Sequence, residues 1–242
     1  MTQRDGHPLA GVPGIDVVDV LPGTDHTRLT QLQGIHALTF ADHSHVLVEM
    51  EQAWSEGSFD PGIIVHQWLL LHEGEPVGEF VFHTNLRRAI TVRHFLAMDK
   101  DVRAALPLGW AAQLVDAAQR QSEEDAQSRG IEIVALMSEI DPDQPRLLAH
   151  WRRLGHVSVP SIDYREPYHG KHWRDAGPLA FFPMVPNIKI TDAGLRRPLG
   201  DVVSAAVSAF LLDHYLLPAD EPMVAGIIDR AHAVQPGDLI RS

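Results

Sequence analysis

The sequence predicts an α/β (α+β) protein built on a mixed, mostly antiparallel central sheet, with a helical extension toward its C-terminal end. Three observations carry this prediction. Residues 63–98 read as three consecutive strands joined by tight turns. Residues 90–137 read as strand, helix, strand, and after Pro186 the apolar positions recur at helical spacing.

The elements follow in order. Residues 15–20 (Ile-Asp-Val-Val-Asp-Val) read as a strand closed by Pro22-Gly23. Two segments with polar faces come next, near 26–40 and 43–56. In the second, Val46, Met50, Ala53 and Trp54 recur at helical spacing, Asp42 suits its cap, and Gly57 with Asp60-Pro61-Gly62 stops it. Residues 63–71 and 76–83 form a hairpin across the turn at 72–75. Residues 90–98, rich in Ile, Val, Thr and Phe, complete an antiparallel meander.

The period then changes. From Pro107 to about Ser128, Leu108, Ala111, Val115 and Ala118 make one stripe, which Trp110, Leu114 and Ala117 widen. Pro107 suits a first helical turn and Gly130 the position just past the end. Residues 131–137 are nearly all apolar, as in a strand buried on both faces, and a crossover of this length makes the strands at 90–98 and 131–137 parallel. A second helix follows Asp143, with Leu147, Leu148, Trp151 and Leu154 on its inner side and Gly155 at its end. Residues 156–164 and 179–185 read as two further strands joined by a long polar loop.

Two more helices close the chain. One carries Leu199, Val202, Val203, Ala206 and Phe210, the other Pro222, Val224, Ile227, Ile228 and Ala231. Both are too apolar to stand alone, so they pack on the main body or on a second copy, as a lid or a homodimer contact. The expected division is a catalytic-type domain over 1–186 and a helical extension over 187–242.

Composition excludes several classes. The 242 residues carry 20 Lys+Arg against 32 Asp+Glu, a formal charge of −12, which argues against a generic nucleic-acid or anionic-membrane binder. The absence of Cys excludes disulfides, thiolate metal sites and a Cys nucleophile. With 45% apolar and 21% charged residues the chain is not of the disordered class. The first thirty residues hold no long apolar stretch, and the longest apolar runs fall far short of the ~20 residues that span a bilayer. A soluble, cytoplasmic protein is expected.

The chemistry concentrates in Leu96-Ala97-Met98-Asp99-Lys100-Asp101-Val102-Arg103 and the run Leu106-Pro107-Leu108-Gly109-Trp110-Ala111. A strand ends, a small-residue turn follows, and a helix begins. Free N–H groups and the helix dipole at such a start suit a pyrophosphate, and Gly109 and Ala111 let an anion approach the backbone. A second segment, Leu148-Ala149-His150-Trp151-Arg152-Arg153-Leu154-Gly155-His156, closes the next helix.

With the element order, these segments resemble the GNAT superfamily of acyl-CoA-dependent N-acyltransferases, over about residues 12–186. The family's loop reads Gln/Arg-x-x-Gly-x-Gly/Ala. Here Gly109 and Ala111 match, Leu106 stands where the family has Arg or Gln, and Arg103 is the nearest cation. The second segment is similar to the family's aliphatic-x-x-Tyr-x-x-Leu-Gly-Phe. Trp151 falls at the tyrosine that protonates the leaving CoA thiolate in many members, a role indole cannot take, and His156 replaces the Phe.

The resemblance implies a parallel strand pair that splays apart and a co-substrate, acetyl-CoA, lying in the gap. Its pantetheine would meet Leu96, Ala97 and Met98, and its pyrophosphate Arg103, Leu108, Gly109, Trp110 and Ala111, with Trp151 beside the thiol. An amine of a small molecule or protein would attack the thioester directly, and no metal is required. Candidate bases must come from the central strands. Glu79 and His83 share a face by two-residue periodicity, and His94 shares one with Leu96 and Met98. Tyr164 could supply the missing acid. Two other readings stand: a degenerate member that binds acyl-CoA or another ligand without turnover, and a metal-dependent α/β enzyme using His43-x-His45 or His169-x-x-His172 with Asp42 or Asp175.

Overall fold

In the computed structural model, which describes residues 7–9, 12–57, 60–168, 170–174 and 178–241, the chain forms two units. One comprises Met1–His83 with His94–Asp125, the other Thr84–Arg93 with Ala126–Ser242. The division runs through single elements, so each unit owns part of a strand.

The first unit holds β1 (His7–Pro8), β2 (Ile15–Asp19), α1 (His26–Thr39), α2 (Val46–Glu56), β3 (Ile63–His72) and most of β4 (Glu75–Asn85). It also holds the latter half of β5 (Ile90–Met98), α3 (Lys100–Ala105) and most of α4 (Trp110–Gln127). Its strand order is β1-β2-β3-β4-β5. β2 runs antiparallel to β3, with Ile15 opposite His72 and Asp19 opposite Trp68. Val18, Val20, Leu69, Leu71 and Val81 pack against Leu29 and Leu32 of α1 and Val46 and Met50 of α2. α1 starts where the Asp25 carboxylate accepts the Thr27 N–H at 2.8 Å. α2 starts at Val46; Asp42, expected as its cap, lies in a short 3₁₀ turn over Ala41–His43.

Three features of this unit follow from single residues. Gly78 brings β4 against β5: a Cβ there would stand 2.5 Å from the Ala97 carbonyl oxygen. Asp99 caps α3 by accepting the N–H groups of Asp101 (2.8 Å) and Val102 (3.2 Å), an element the periodicity did not predict. The long helix opens at Trp110 rather than Pro107, because Gly109 takes φ +89° and no helix can include it. Leu108, expected on the buried stripe, is accordingly fully exposed, while Leu114, Val115, Ala117 and Ala118 are buried.

His66 on β3 is a buried ion held between two carboxylates. Its Nδ1 lies 2.6 Å from Asp19 Oδ2 and its Nε2 3.0 Å from Asp125 Oδ2, and its ring stacks on Phe82. Burial alone would lower its pKa, but the two carboxylates overturn that and raise it to about 9.

The second unit holds the start of β5, then β6 (Ala135–Ile140), α5 (Pro145–Arg153), β7 (Val157–Ser158), β8 (Arg165–Pro167), β9 (Phe181–Pro183) and β10 (Val185–Ile190). α6 (Asp192–Leu195), α7 (Leu199–Ser208) and α8 (Pro222–His232) complete it. The strand order is β5-β6-β10-β7, with β8 and β9 a separate pair. β5 and β6 are parallel, as the crossover length requires: Ile90 lies opposite Ala135 and Arg93 opposite Ser138, where the ladder ends.

Several boundaries differ from the sequence reading. β6 begins at Ala135 rather than 131, and the strand expected over 156–164 is reduced to Val157–Ser158, followed by a 3₁₀ turn at Pro160–Ile162, with the next strand starting only at Arg165. β10, antiparallel to β6 from Val185 opposite Ile140 to Ile190 opposite Ala135, was not expected. Residue 186, read as the end of the first domain, lies inside it. Pro186 reads locally as a breaker, yet β7 covers only Asn187 and Ile188, so the proline occupies an uncovered stretch of that edge.

The terminal helices pack within this unit. Val202, Val203, Ala206 and Val207 of α7, with Val224, Ile227 and Ala231 of α8, join Ala135, Met137 and Ile188 in one core. Gly200 lets the helices touch, since a Cβ there would collide with the His232 carbonyl oxygen. Among the described residues no helix is long and apolar enough to cross a membrane.

Candidate functional site

In the first unit the strand–turn–helix reading holds in its parts. β5 ends at Leu96, Ala97 and Met98, with Ala97 buried and its neighbours half-buried. The Asp99 N–H then donates to Val77 O at 2.7 Å, anchoring the exit of the strand. Arg103 lies on α3 with its side chain exposed, followed by exposed Leu108 and Gly109 and half-buried Trp110 and Ala111. Apart from its chain neighbours, no atom comes within 4 Å of where a Gly109 Cβ would stand, so the backbone is open to a ligand there. The first i→i−4 bond of α4 runs from Gln113 N to Gly109 O, which by helix geometry leaves the N–H groups of Ala111 and Ala112 without partners in the helix.

The candidate bases separate into two pairs. Glu79 on β4 is fully buried, and its Oε1 lies 3.0 Å from Nδ1 of His36, also fully buried. Burial raises the Glu79 pKa, and the hydrogen bond and charge of His36 only partly offset this. Phe40 and Phe95 flank the His36 ring. Glu79 Oε2 and His36 Nε2 have no hydrogen-bond partner in the described structure. His83 and His94, by contrast, are brought together: His94 Nε2 lies 2.9 Å from His83 Nδ1. One nitrogen must donate and the other accept, so at least one of these imidazoles is neutral and able to take a proton. Of the spacings considered for a metal, His43 and His45 stand with ring centroids 5.9 Å apart. His169 and Asp175 lie outside the described residues.

Tyr164 belongs to the second unit, just before β8, and is buried. Its hydroxyl donates to Glu139 Oε1. Tyr215 donates to Glu139 Oε2 at 2.5 Å and to Glu166 Oε2 at 3.1 Å. Burial and the charge of Glu166 push the Glu139 carboxyl well up, and burial likewise raises Glu166 and, further, both tyrosines. Two carboxyls in contact under these conditions share a proton. Tyr164 is therefore the donor to an acidic cluster and is held far from ionising.

Trp151 is buried on α5 and carries the Arg93 guanidinium 4.1 Å above its ring centroid. The end of α5 explains its neighbour. Gly155 N–H donates to Arg152 O and His156 N–H to Trp151 O, with Gly155 at φ +86°, a Schellman closure that sets the His156 ring 5.2 Å from the indole. His156 Nδ1 meets Asn187 Nδ2 at 3.0 Å. Burial, then the charges of Arg93, Lys189 and His150, lower its pKa to about 2, so the ring is neutral.

With this geometry in hand, no family model matches the sequence and no curated protein matches it. Solved structures do. A protein from Bacteroides thetaiotaomicron described as an acetyltransferase from the GNAT family superposes with TM-score 0.50 at 11% identity, over 74% of this chain and 89% of that one. A chimeric spermidine N-acetyltransferase from Vibrio cholerae and hSSAT superposes with TM-score 0.50 at 9% identity, over 76% and 99%.

The chain has the GNAT fold.

On that fold the residues missed by sequence reasoning are His36, Arg93, Glu139, Glu166 and Tyr215. Two of them carried a signal. His36 continues the helical spacing of Leu29 and Leu32 onto the buried face of α1, and Arg93 is the lone cation in the strand Ile-Thr-Val-Arg-His-Phe-Leu-Ala-Met. Glu139, Glu166 and Tyr215 come from three segments up to 76 positions apart, and nothing local marks them as partners.

Proposed function

We propose that the protein is an N-acyltransferase that moves an acetyl or other acyl group from acyl-CoA to an amine of a small molecule or protein. The observation that carries this reading is the open Gly109 turn between β5 and α4 on a GNAT fold: a positive-φ glycine with free space around it, followed by helix N–H groups without partners in the helix. Acyl-CoA supplies the activated acyl thioester. The turn at 108–111 opens onto the N–H groups of Ala111 and Ala112, which can donate to a diphosphate, and Arg103 is the nearest exposed cation in place of the residue absent at Leu106. The His83–His94 pair is the base this reading favours, because a neutral imidazole has a lone pair that can accept the amine proton. Glu79 is bound to His36 and enclosed, which favours a positioning role over direct contact with substrate.

Isothermal titration with acetyl-CoA tests the reading. The chain should bind it, and Gly109→Trp should weaken binding at least tenfold while costing about 1–3 kcal/mol from the strained φ. No binding by the wild-type chain, or equal affinity in the variant, would remove the loop from the proposal. The buried Trp151, with no ionisable proton, favours a second reading in which acyl-CoA binds without turnover. An acetyl-transfer assay over an amine panel separates the two, since binding without product supports the second.

A further inference from the structure

A buried cation in the second unit has no counter-charge among the described residues. Arg93 is 5% exposed. Its Nη2 donates to Ser138 Oγ at 2.5 Å, its charge rests on the Trp151 ring, and its Nη1 has no hydrogen-bond partner in the described structure. Among the described residues no carboxylate pairs with it. Burial lowers its pKa only to about 9, so the group remains charged at neutral pH. One neutral hydrogen bond and one cation–π contact return far less than the cost of enclosing an unpaired charge.

The surroundings define what would complete it. Ser138 Oγ also receives Asn187 Nδ2 at 3.1 Å, and the Asn187 Oδ1 is buried with no hydrogen-bond partner. His156, on the other side of Asn187, is neutral. The cluster therefore holds a buried guanidinium with no carboxylate against it, with a free donor on Arg93 and a free acceptor on Asn187. A monoanion balances the Arg93 charge. Planar guanidinium geometry favours a carboxylate. Arg93 and Ser138 are also the last pair of the parallel ladder, so the free donor lies where interstrand bonding stops.

We propose that Arg93 receives the carboxylate of a small-molecule ligand, with Asn187 Oδ1 accepting from an N–H of the same molecule. Combined with acyl transfer, on which this last step rests, the acceptor is an amine that also carries a carboxylate, in the class of amino acids and their close derivatives.

The test is a titration of the full chain, without acyl-CoA, by calorimetry and thermal shift. Acetate and the standard amino acids are compared with inorganic phosphate and chloride at equal ionic strength. At least one carboxylate should bind, phosphate should bind no better than chloride, and Arg93→Met should lower the carboxylate affinity about ten- to a hundredfold. Because that variant removes an unpaired charge, its melting temperature should hold or rise, which a purely structural arginine would not allow. Asn187→Asp supplies a carboxylate from within the cluster and should abolish binding without loss of stability, so the proposal stays testable if Arg93→Met fails to fold. Absence of carboxylate binding, a preference for phosphate, or equal affinity in a folded variant would overturn it. Since no acyl-CoA is present, failure here leaves acyl transfer standing, and failure to bind acetyl-CoA leaves the carboxylate site standing.

Discussion

Two buried histidines, one in each unit, have been pushed in opposite directions. His66 sits between Asp19 and Asp125 and its pKa rises to about 9; His156 sits among Arg93, Lys189 and His150 and its pKa falls to about 2. Burial lowers both. What separates them is the sign of the neighbours: two carboxylates outweigh desolvation in the first unit, while the cations of the second add to it. The first unit thus holds a closed, self-compensated ion cluster. The second encloses cationic character that its own residues leave unbalanced, and that imbalance points to a ligand.

The largest effect should come from His66→Ala, which leaves two largely buried carboxylates facing each other. Breaking such a pairing costs about 3–5 kcal/mol, measurable by urea denaturation at neutral pH. A loss under 1 kcal/mol would mean that water solvates the carboxylates and the cluster is not closed. The same residue sets an alkaline limb. Its folded pKa lies above the ordinary 6.5, so its contribution is complete below pH 6.5 and is lost as pH rises through about 9. Across that window the wild-type chain should lose about 3 kcal/mol relative to His66→Ala.

His156 should act on the other side of neutrality. Its folded pKa lies below 6.5, so above that pH both states are neutral and nothing is lost. As pH falls below 6.5 the unfolded chain takes up a proton that the folded chain refuses. By about pH 5 this costs the wild type about 2 kcal/mol, which His156→Gln should recover in a pH series of denaturation curves. If the two variants show acid limbs of equal slope, the second cluster is not as cationic as the contrast requires. The smallest effect is expected for Gly155→Ala: about 1 kcal/mol from the left-handed cap, seen as a lower melting temperature, with the His156 ring released from the indole.

The legible and illegible parts divide along the same lines. The meander, the crossover and the Leu154-Gly155 stop could be read because each depends on residues within one turn or one strand pair. Glycine at 109 was readable as a turn, but not its consequence that α4 starts at Trp110. Asp99 as a cap for α3 went unread because a six-residue helix is too short to show a period. β10 went unread because Pro186 is locally a breaker, and only its place at a partly covered edge makes it tolerable. Among the site candidates, two-residue periodicity placed Glu79 and His83 on one face. Which partners they would meet was beyond it, and Glu79 went to a helix histidine 43 positions away.

By itself the sequence determined the antiparallel meander, the parallel sense of the crossover and the small-residue turn before the long helix, because these follow from local sterics, hydrophobic period and chain length. Only the tertiary structure decided which ionisable groups share an enclosure: His66 with two carboxylates, Tyr164 and Tyr215 with a carboxyl pair, and Arg93 with none. Charge interactions depend on distance in space and on exclusion of water. Neither quantity is defined until distant segments have packed.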